Sequence, residues 1–493
     1  MGLIDGIVSA RTDRARKALL AKTHPVYDRY QQSWRTGLDA YDGAGGFLDG
    51  SYLWRFPRET EDDFAKRAAQ ARYHNYVDTL VDIYVRNVTT GVTRSTTDAR
   101  LTEWWTTVNG RGEAMTTYVM AALGQALAAG HTAVLVDKAP VMPEGPSQAD
   151  DPHEPYLTTF AAPAVLDWRI DAQGLAALKL HEAPPIQGLD RPATEAFGYL
   201  LWDREQWARF TEHGQAMGQA PHDLGKVPVE VLRPKPSRRH PFIGKPLVTP
   251  SIVRALYNRA SEEDLVIRDQ AFSLFVISVP ADATADDIEK VRQTLGAGVG
   301  TTTVTIVKGT ADFKTADMAV PKTIRENQQF LIAELYRMAH LRYQRESLEA
   351  ESAEAIRLQR QELDQVLTGI AEEAQRFEVA IARLYFDWTT ADGAAAFERA
   401  QVEIQYPSSF SLPDVERELA GWAAAIALGL GDTATQEVKK RAVSLVLPDL
   451  APDTLNAVRK EIEAGQAGVT SPLEQFREGA RKRLEAAGIR GAA

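Results

Sequence analysis

The sequence predicts an α+β protein, and three observations carry that expectation. Short strand candidates cluster between residues 132 and 232, helical patterns lie on both sides of them, and a regular helical stretch runs from Pro321 to Trp388. Within that stretch Leu363, Leu367, Ile370, Ala374, Phe377, Ile381 and Leu384 recur at alternating spacings of four and three, the seam of packed or supercoiled helices. No Pro or Gly interrupts Ile324 to Thr368, and a helix of that length would reach roughly 68 Å at 1.5 Å per residue. A small globular core needs no strut so long, whereas an assembly built around a long axis does.

Taken in order, residues 1–60 are mixed, with a basic amphipathic helix expected at 9–22 and a flexible glycine-rich connection, YDGAGGFLDG, at 41–50. A helix is expected from Thr60 to Val92, with acids in its first turn. Another is expected at 113–129, closed by Gly130. TAVLVD (132–137) suits a buried strand, and the Pro- and Asp-rich 139–155 suits a surface loop. Strand candidates at 156–160, 165–170, 175–182, 197–202, 205–210 and 227–232 suggest antiparallel sheet.

After a Pro- and Arg-rich connection, Thr249–Pro250 starts a helix. A compact unit follows: strand 272–279, helix 283–295, the turn GAGVG and strand 301–309. Thr323 and Glu326 form a capping-box pattern ahead of a helix over 324–344, with Ile324, Leu331, Leu335 and Met338 on one face. Beyond 389 come a strand candidate, RAQVEIQYP, and helices at 415–430, 434–447 and 451–465, with an Ala-, Gly- and Arg-rich end expected to be disordered.

Composition bounds the function. The 493 residues, 44% hydrophobic and 25% charged, suggest about two to four structural units of a globular protein. The absence of cysteine excludes disulfides, Cys-based metal sites and Cys nucleophiles. A net charge of −11 argues against a surface that grips nucleic acid throughout. No signal peptide or membrane span is apparent: 115–136 contains Gln125 and His131.

Enzymatic motifs fail one by one. Gly225–Lys226 and Gly244–Lys245 are followed by Val227 and Pro246, so neither is a P-loop. His181–Glu182 begins a zinc-protease pattern that Pro185 ends. Gly296-Ala-Gly298-Val-Gly300 lies between a helix and a strand, the wrong order for a phosphate-binding turn. Asp62–Asp63 and Asp286–Asp287 fall in solvated first helical turns, whereas acid–base chemistry needs a cleft. No catalytic residue, metal ligand or cofactor is expected.

The order of parts carries a resemblance. G-H-T-A-V-L-V-D (130–137) is followed by an antiparallel region and V-P-V-x-V-L (227–232). Then come S-I-V-R-A-L-Y-N-R-A-S-E-E-D (251–264), of the L-x-x-x-Y-N-x-x-S type, a small αβ insert, and S-A-E-A-I-R-L (352–358) feeding a long helix. Over roughly 60–390 the chain resembles the portal proteins of tailed bacteriophages. The resemblance implies a wing (1–246), stem helices (247–271 and 321–341), a clip (272–320), a tunnel loop (342–352), a long spine helix (353–388) and a helical crown with C-terminal tail (389–493). Family members often carry Gly or Pro in the tunnel loop; here 342–352 has neither, and Ala353 follows Ser352.

The implied function is a dodecameric homo-oligomeric ring at one capsid vertex of the virion, assembled in the host cytoplasm. Double-stranded DNA would be packaged, retained and ejected through it. Implied partners are the terminase large subunit, a head–tail adaptor and the major capsid protein, with no membrane. The implied channel residues are Arg342, Tyr343, Gln344, Arg345, Glu346, Glu349 and Glu351. The implied docking residues of the clip are Asp282, Asp286, Asp287, Glu289, Lys290 and Arg292. The alternative is a non-enzymatic helical interaction protein, either a coiled-coil scaffold built on the 353–386 seam or another head–tail connector component.

Overall fold

A computed structural model describes residues 3–138, 153–182, 198–271, 274–278, 282–296, 310–314, 319–341, 353–408, 410, 422–423, 432–446, 458, 460 and 462. The chain divides into two compact units, Met1–Phe410 and Ser411–Ala493. The class is α+β, as the sequence predicts.

The first unit opens with helices α1 (Leu3–Val8), α2 (Asp13–Leu20) and α3 (Pro25–Asp42). The helix expected at 9–22 is α2, shortened to 13–20 because the Thr12 hydroxyl accepts from the Ala15 amide at 3.2 Å and caps its start; α1 precedes it. Helix α3 begins on Pro25, with the His24 Nδ1 accepting from the Val26 amide. The 41–50 connection is packed, contrary to expectation. Gly43 closes α3 in the left-handed region, and the Phe47 ring is buried against Tyr52, Tyr73 and Tyr257.

The helix expected over 60–92 is two: α4 (Glu61–Gln70) and α5 (Tyr76–Thr89). The break has a cause in Tyr73, whose hydroxyl donates to the Ala40 carbonyl, and in Asn75. The Asn75 amide donates to the Tyr41 carbonyl while its Oδ1 caps Asp78, so a new helix begins there. After β1 (Thr93–Ser95) and α6 (Ala99–Trp104), α7 (Met115–Ala129) ends at Gly130, φ 106°. Helix α7 crosses α3 so closely that a Cβ on Gly37 would lie 2.3 Å from the Ala128 carbonyl oxygen.

Two antiparallel sheets follow. One has the order β3 (Tyr156–Ala161), β2 (Thr132–Asp137), β9 (Val229–Leu232). The other is the meander β4 (Val165–Asp171), β5 (Gly174–Glu182), β6 (Gly198–Asp203), β7 (Gln206–Thr211), β8 (Ala216–Pro221). Both faces of the meander are covered, because alternate side chains point opposite ways. Leu200 and Trp202 join the main core, whereas Leu201 joins Ala208 and Phe210 in a second core against Ile4, Ile7 and Leu20 of the N-terminal helices.

The seam of the long helix α11 (Ala353–Thr389) is core. Leu367, Ile370, Ala374, Phe377, Ile381 and Leu384 are buried, and Leu363 packs against them. The Trp388 indole donates to the Val136 carbonyl at 2.8 Å, tying α11 to β2. Beyond it, α12 (Gly393–Arg399) and β12 (Glu403–Gln405) remain in the first unit, β12 pairing with β1. Glu378 of α11, fully buried, accepts from Arg94 of β1 and from the Tyr406 hydroxyl (2.8 Å). In the second unit, α13 spans Asp432–Val446.

Candidate functional site

The candidate site is a helix pair and the insert it carries. Helix α8 (Pro250–Ala271) and helix α10 (Ala319–Met338) run antiparallel. Their register is fixed by three contacts in which one number rises as the other falls. The Thr249 hydroxyl meets Met338 Sδ at 3.7 Å, Gln328 Nε2 donates to the Arg259 carbonyl at 3.1 Å, and Arg325 pairs with Glu263 at 2.7 Å. At 1.5 Å per residue the two helices are about 33 and 30 Å long. The chain leaves α8 at Ala271 and re-enters α10 at Ala319, at the same end of the pair.

The opposite face of α8 explains the Tyr-Asn-x-x-Ser pattern. Tyr257 packs on Phe47 and Tyr73. The Asn258 Oδ1 accepts from the Trp54 amide at 2.7 Å, and its Nδ2 donates to the Tyr52 carbonyl at 3.1 Å. The Ser261 hydroxyl accepts from Arg67 at 3.3 Å. Arg67 is buried, forks onto Glu59 at 2.7 and 2.8 Å, donates to the Trp54 carbonyl, and lies over the Phe56 ring. These residues bind α8 to the segment before α4. Their role is structural, and sequence spacing alone could not assign it.

Helix α10 begins at Ala319, ahead of Pro321, so Thr323 and Glu326 lie inside it and not at its start. Proline is tolerated in a first helical turn because its missing N–H would be unpaired there anyway. The far end of α10 is rooted in the core. Leu335 and Ala339 are buried, and the Tyr84 hydroxyl donates to the Ala339 carbonyl. The helix stops by a Schellman motif. The His340 amide donates to Arg337 (3.0 Å) and the Leu341 amide to Tyr336 (2.9 Å), with His340 at φ 49°. A continuous helix over 324–368 is thereby excluded, since a left-handed residue cannot extend a right-handed helix.

In the insert, β10 (Leu274–Ser278) pairs antiparallel with β11 (Thr310–Lys314), and α9 (Ala285–Gly296) lies between them in sequence. The strand expected at 301–309 lies outside the described residues; the described strand is 310–314. Of the docking residues, Asp282, Asp286 and Glu289 are exposed. Asp287 has a structural role: its Oδ2 accepts from the Thr284 hydroxyl (2.7 Å) and amide (3.2 Å), while Thr284 accepts from the Asp287 amide, a reciprocal cap. The Thr-x-x-Asp spacing carries that signal in the sequence. Lys290 and Arg292 lie on α9. The proposed channel residues Arg342, Tyr343, Gln344, Arg345, Glu346, Glu349 and Glu351 lie outside the described residues.

Other singled-out residues have local explanations. Thr60 and Asp63 cap α4, and Asp62 pairs with Lys66 at 2.5 Å. Glu182 pairs with Arg209 at 2.8 Å. Among the described residues no group of three His, Asp or Glu side chains is placed to hold a metal ion, and no described helix is long and apolar enough to cross a membrane.

No protein-family model matches the chain, and no curated protein matches it. Among solved structures the chain is similar to one from the neck of a native gene transfer agent particle computed with C12 symmetry. The TM-score is 0.39 and identity 14%, covering 84% of this chain and 99% of that one. It is similar to one from the neck of an empty particle computed with C6 symmetry, with TM-score 0.38, 13% identity, and 74% and 90% of the two chains covered. It is also similar to a chain of the native gene transfer agent virion, with TM-score 0.37, 13% identity, and coverage of 81% and 96%.

Proposed function

We propose that the chain is a non-enzymatic portal protein. Twelve copies close into a ring at one capsid vertex, and double-stranded DNA passes through the ring during packaging, retention and ejection. The observation that carries this reading is the antiparallel α8–α10 pair, rooted at one end in the core of the first unit and bearing a strand–helix–strand insert at the other. In this reading the pair is the stem. The insert is the clip that meets the terminase large subunit and then the head–tail adaptor. Residues 342–352 line the channel, α11 is the spine behind them, and residues 389–493 form the crown. The outer wall of the wing faces the major capsid protein.

The acidic balance of the chain, −11 overall, suits a wall that DNA must slide past, because each neutralised phosphate adds affinity. The coiled-coil alternative is disfavoured by the burial of the α11 seam inside its own subunit, which leaves that face no second helix to grip. Mass measurement of the purified full-length chain tests the reading. A single large cyclic oligomer is expected; a population of dimers or trimers would return the coiled-coil alternative.

A further inference from the structure

Two exposed apolar features lie at one level of the α8–α10 pair, on its opposite flanks. The first is the run Trp54-Arg55-Phe56-Pro57-Arg58, in which every residue is exposed. Its backbone is held by Asn258 and Arg67 as described, and the Arg254 guanidinium lies over the Trp54 ring. The second is Phe330 on α10, 60% exposed.

The helical geometry sets these two features apart. On α8, Ser261 faces the run through Arg67, and Glu263, two residues on, faces α10; two residues on a helix turn about 200°. On α10, Gln328 faces α8, and Phe330, again two residues on, points away from it. The Gln328–Arg259 bond and the antiparallel register put Phe330 level with the Arg254–Asn258 turn that holds the run.

The charges are complementary. Glu326 and Glu334 stand one turn either side of Phe330 on the same outward stripe, with Glu334 bridged to Arg337 at 2.8 Å. The facing run contributes Arg55 and Arg58. Surfaces that are apolar at the centre, opposite in charge at the rim, level with one another and on opposite flanks match between copies of one chain. A contact between them is head-to-tail, the kind that forms a ring where its rotation closes.

We propose that Trp54–Arg58 of one copy packs on the outer face of α10 of the next copy. Trp54 and Phe56 would cover Phe330, and Arg55 and Arg58 would face Glu326 and Glu334. This proposal rests on the ring reading above and assigns its subunit interface.

The chain has no cysteine, so engineered thiols report only on the chosen contact. Full-length variants carry Phe330→Cys with either Phe56→Cys or Trp54→Cys, because a disulfide requires Cα atoms within about 7 Å. Mild oxidation is expected to give a ladder of covalent multimers beyond the dimer in at least one pair, and no ladder in any single variant. A second arm reverses Arg55→Glu with Arg58→Glu. The assembled fraction should fall by about tenfold or more and return when Glu326→Arg and Glu334→Arg are added, with circular dichroism unchanged throughout. Rings visible in micrographs without any ladder, and with undiminished assembly of the reversed variant, would overturn this interface while leaving the ring reading intact. Absence of rings in the unaltered chain would overturn both.

Discussion

Replacing Arg67 with methionine tests the joint between α8 and the segment before α4. The side chains of Arg67 and Glu59 are 3% and 8% exposed. The guanidinium satisfies both Glu59 oxygens, the Trp54 carbonyl and the Ser261 hydroxyl. Methionine fills much of the volume between Phe56 and Phe64 but strips the buried Glu59 carboxylate of its ion pair, leaving the Phe56 amide (3.2 Å) as its remaining donor, and breaking a buried pair in this way costs at the low end of about 3–5 kcal/mol. Most of that cost should vanish in the double variant Arg67→Met, Glu59→Gln, because the stranded charge is removed.

Native-state hydrogen exchange is the suitable assay, since a chain of two units need not unfold in one step. A local loss of about 3 kcal/mol accelerates exchange by about two orders of magnitude. The Trp54 amide and the amides of α4 should show it, and those of α7 should not. The pH dependence has a definite sign. Hydrogen bonds from Arg67 hold the Glu59 carboxyl below its ordinary value. The associated stability is therefore full above the unfolded value of about 4.3 and is lost as pH falls through the lower folded value. Less than about fivefold acceleration in Arg67→Met, or equal acceleration in the double variant, would mean that the buried pair does not hold this joint.

Other consequences are separable. His340→Val should destabilise by about 1–2 kcal/mol, because a β-branched residue is forced into the left-handed region, whereas His340→Gly should be neutral or stabilising; thermal denaturation compares them. Asp287→Ala should loosen α9 by about 1 kcal/mol through its lost cap, visible as faster exchange in the insert. Asp286→Lys with Glu289→Lys leaves the cap intact, and should leave rings unchanged but weaken pull-down of the terminase large subunit. Arg342→Ala with Arg345→Ala should still assemble but alter DNA packaging or retention, measured as nuclease-protected DNA per particle.

The periodic parts of the fold were legible, and for definite reasons. Strand β2 matches its apolar run residue for residue, and the α11 seam is buried from Leu367 to Leu384 because burial there follows the helical repeat. Strand β8, AMGQAP, escaped because Gly and Pro are poor strand formers and its position at the sheet edge demands no apolar alternation. Helix α3 carried its proline start openly, but the mixed polarity of its neighbours hid it. The break at Tyr73–Asn75 depends on bonds to residues 40 and 41 that are distant in sequence. His340 was missed as a helix stop because the expected residue there is glycine. Arg67 and Glu59 sit in a charged stretch that looks like solvated surface, and only the fold encloses them. Of the candidate site, the helix pair and part of the insert can be placed from sequence, and the cap role of Asp287 is carried by the Thr-x-x-Asp spacing.

Electron micrographs of the purified chain would show whether it forms a ring with an open channel. End-on views of a cyclic oligomer with a central opening wide enough to pass a DNA duplex are expected, with side views that show a narrow stem. A monodisperse monomer at micromolar concentration across all salt conditions, or a compact oligomer without an axial opening, would contradict the proposed ring.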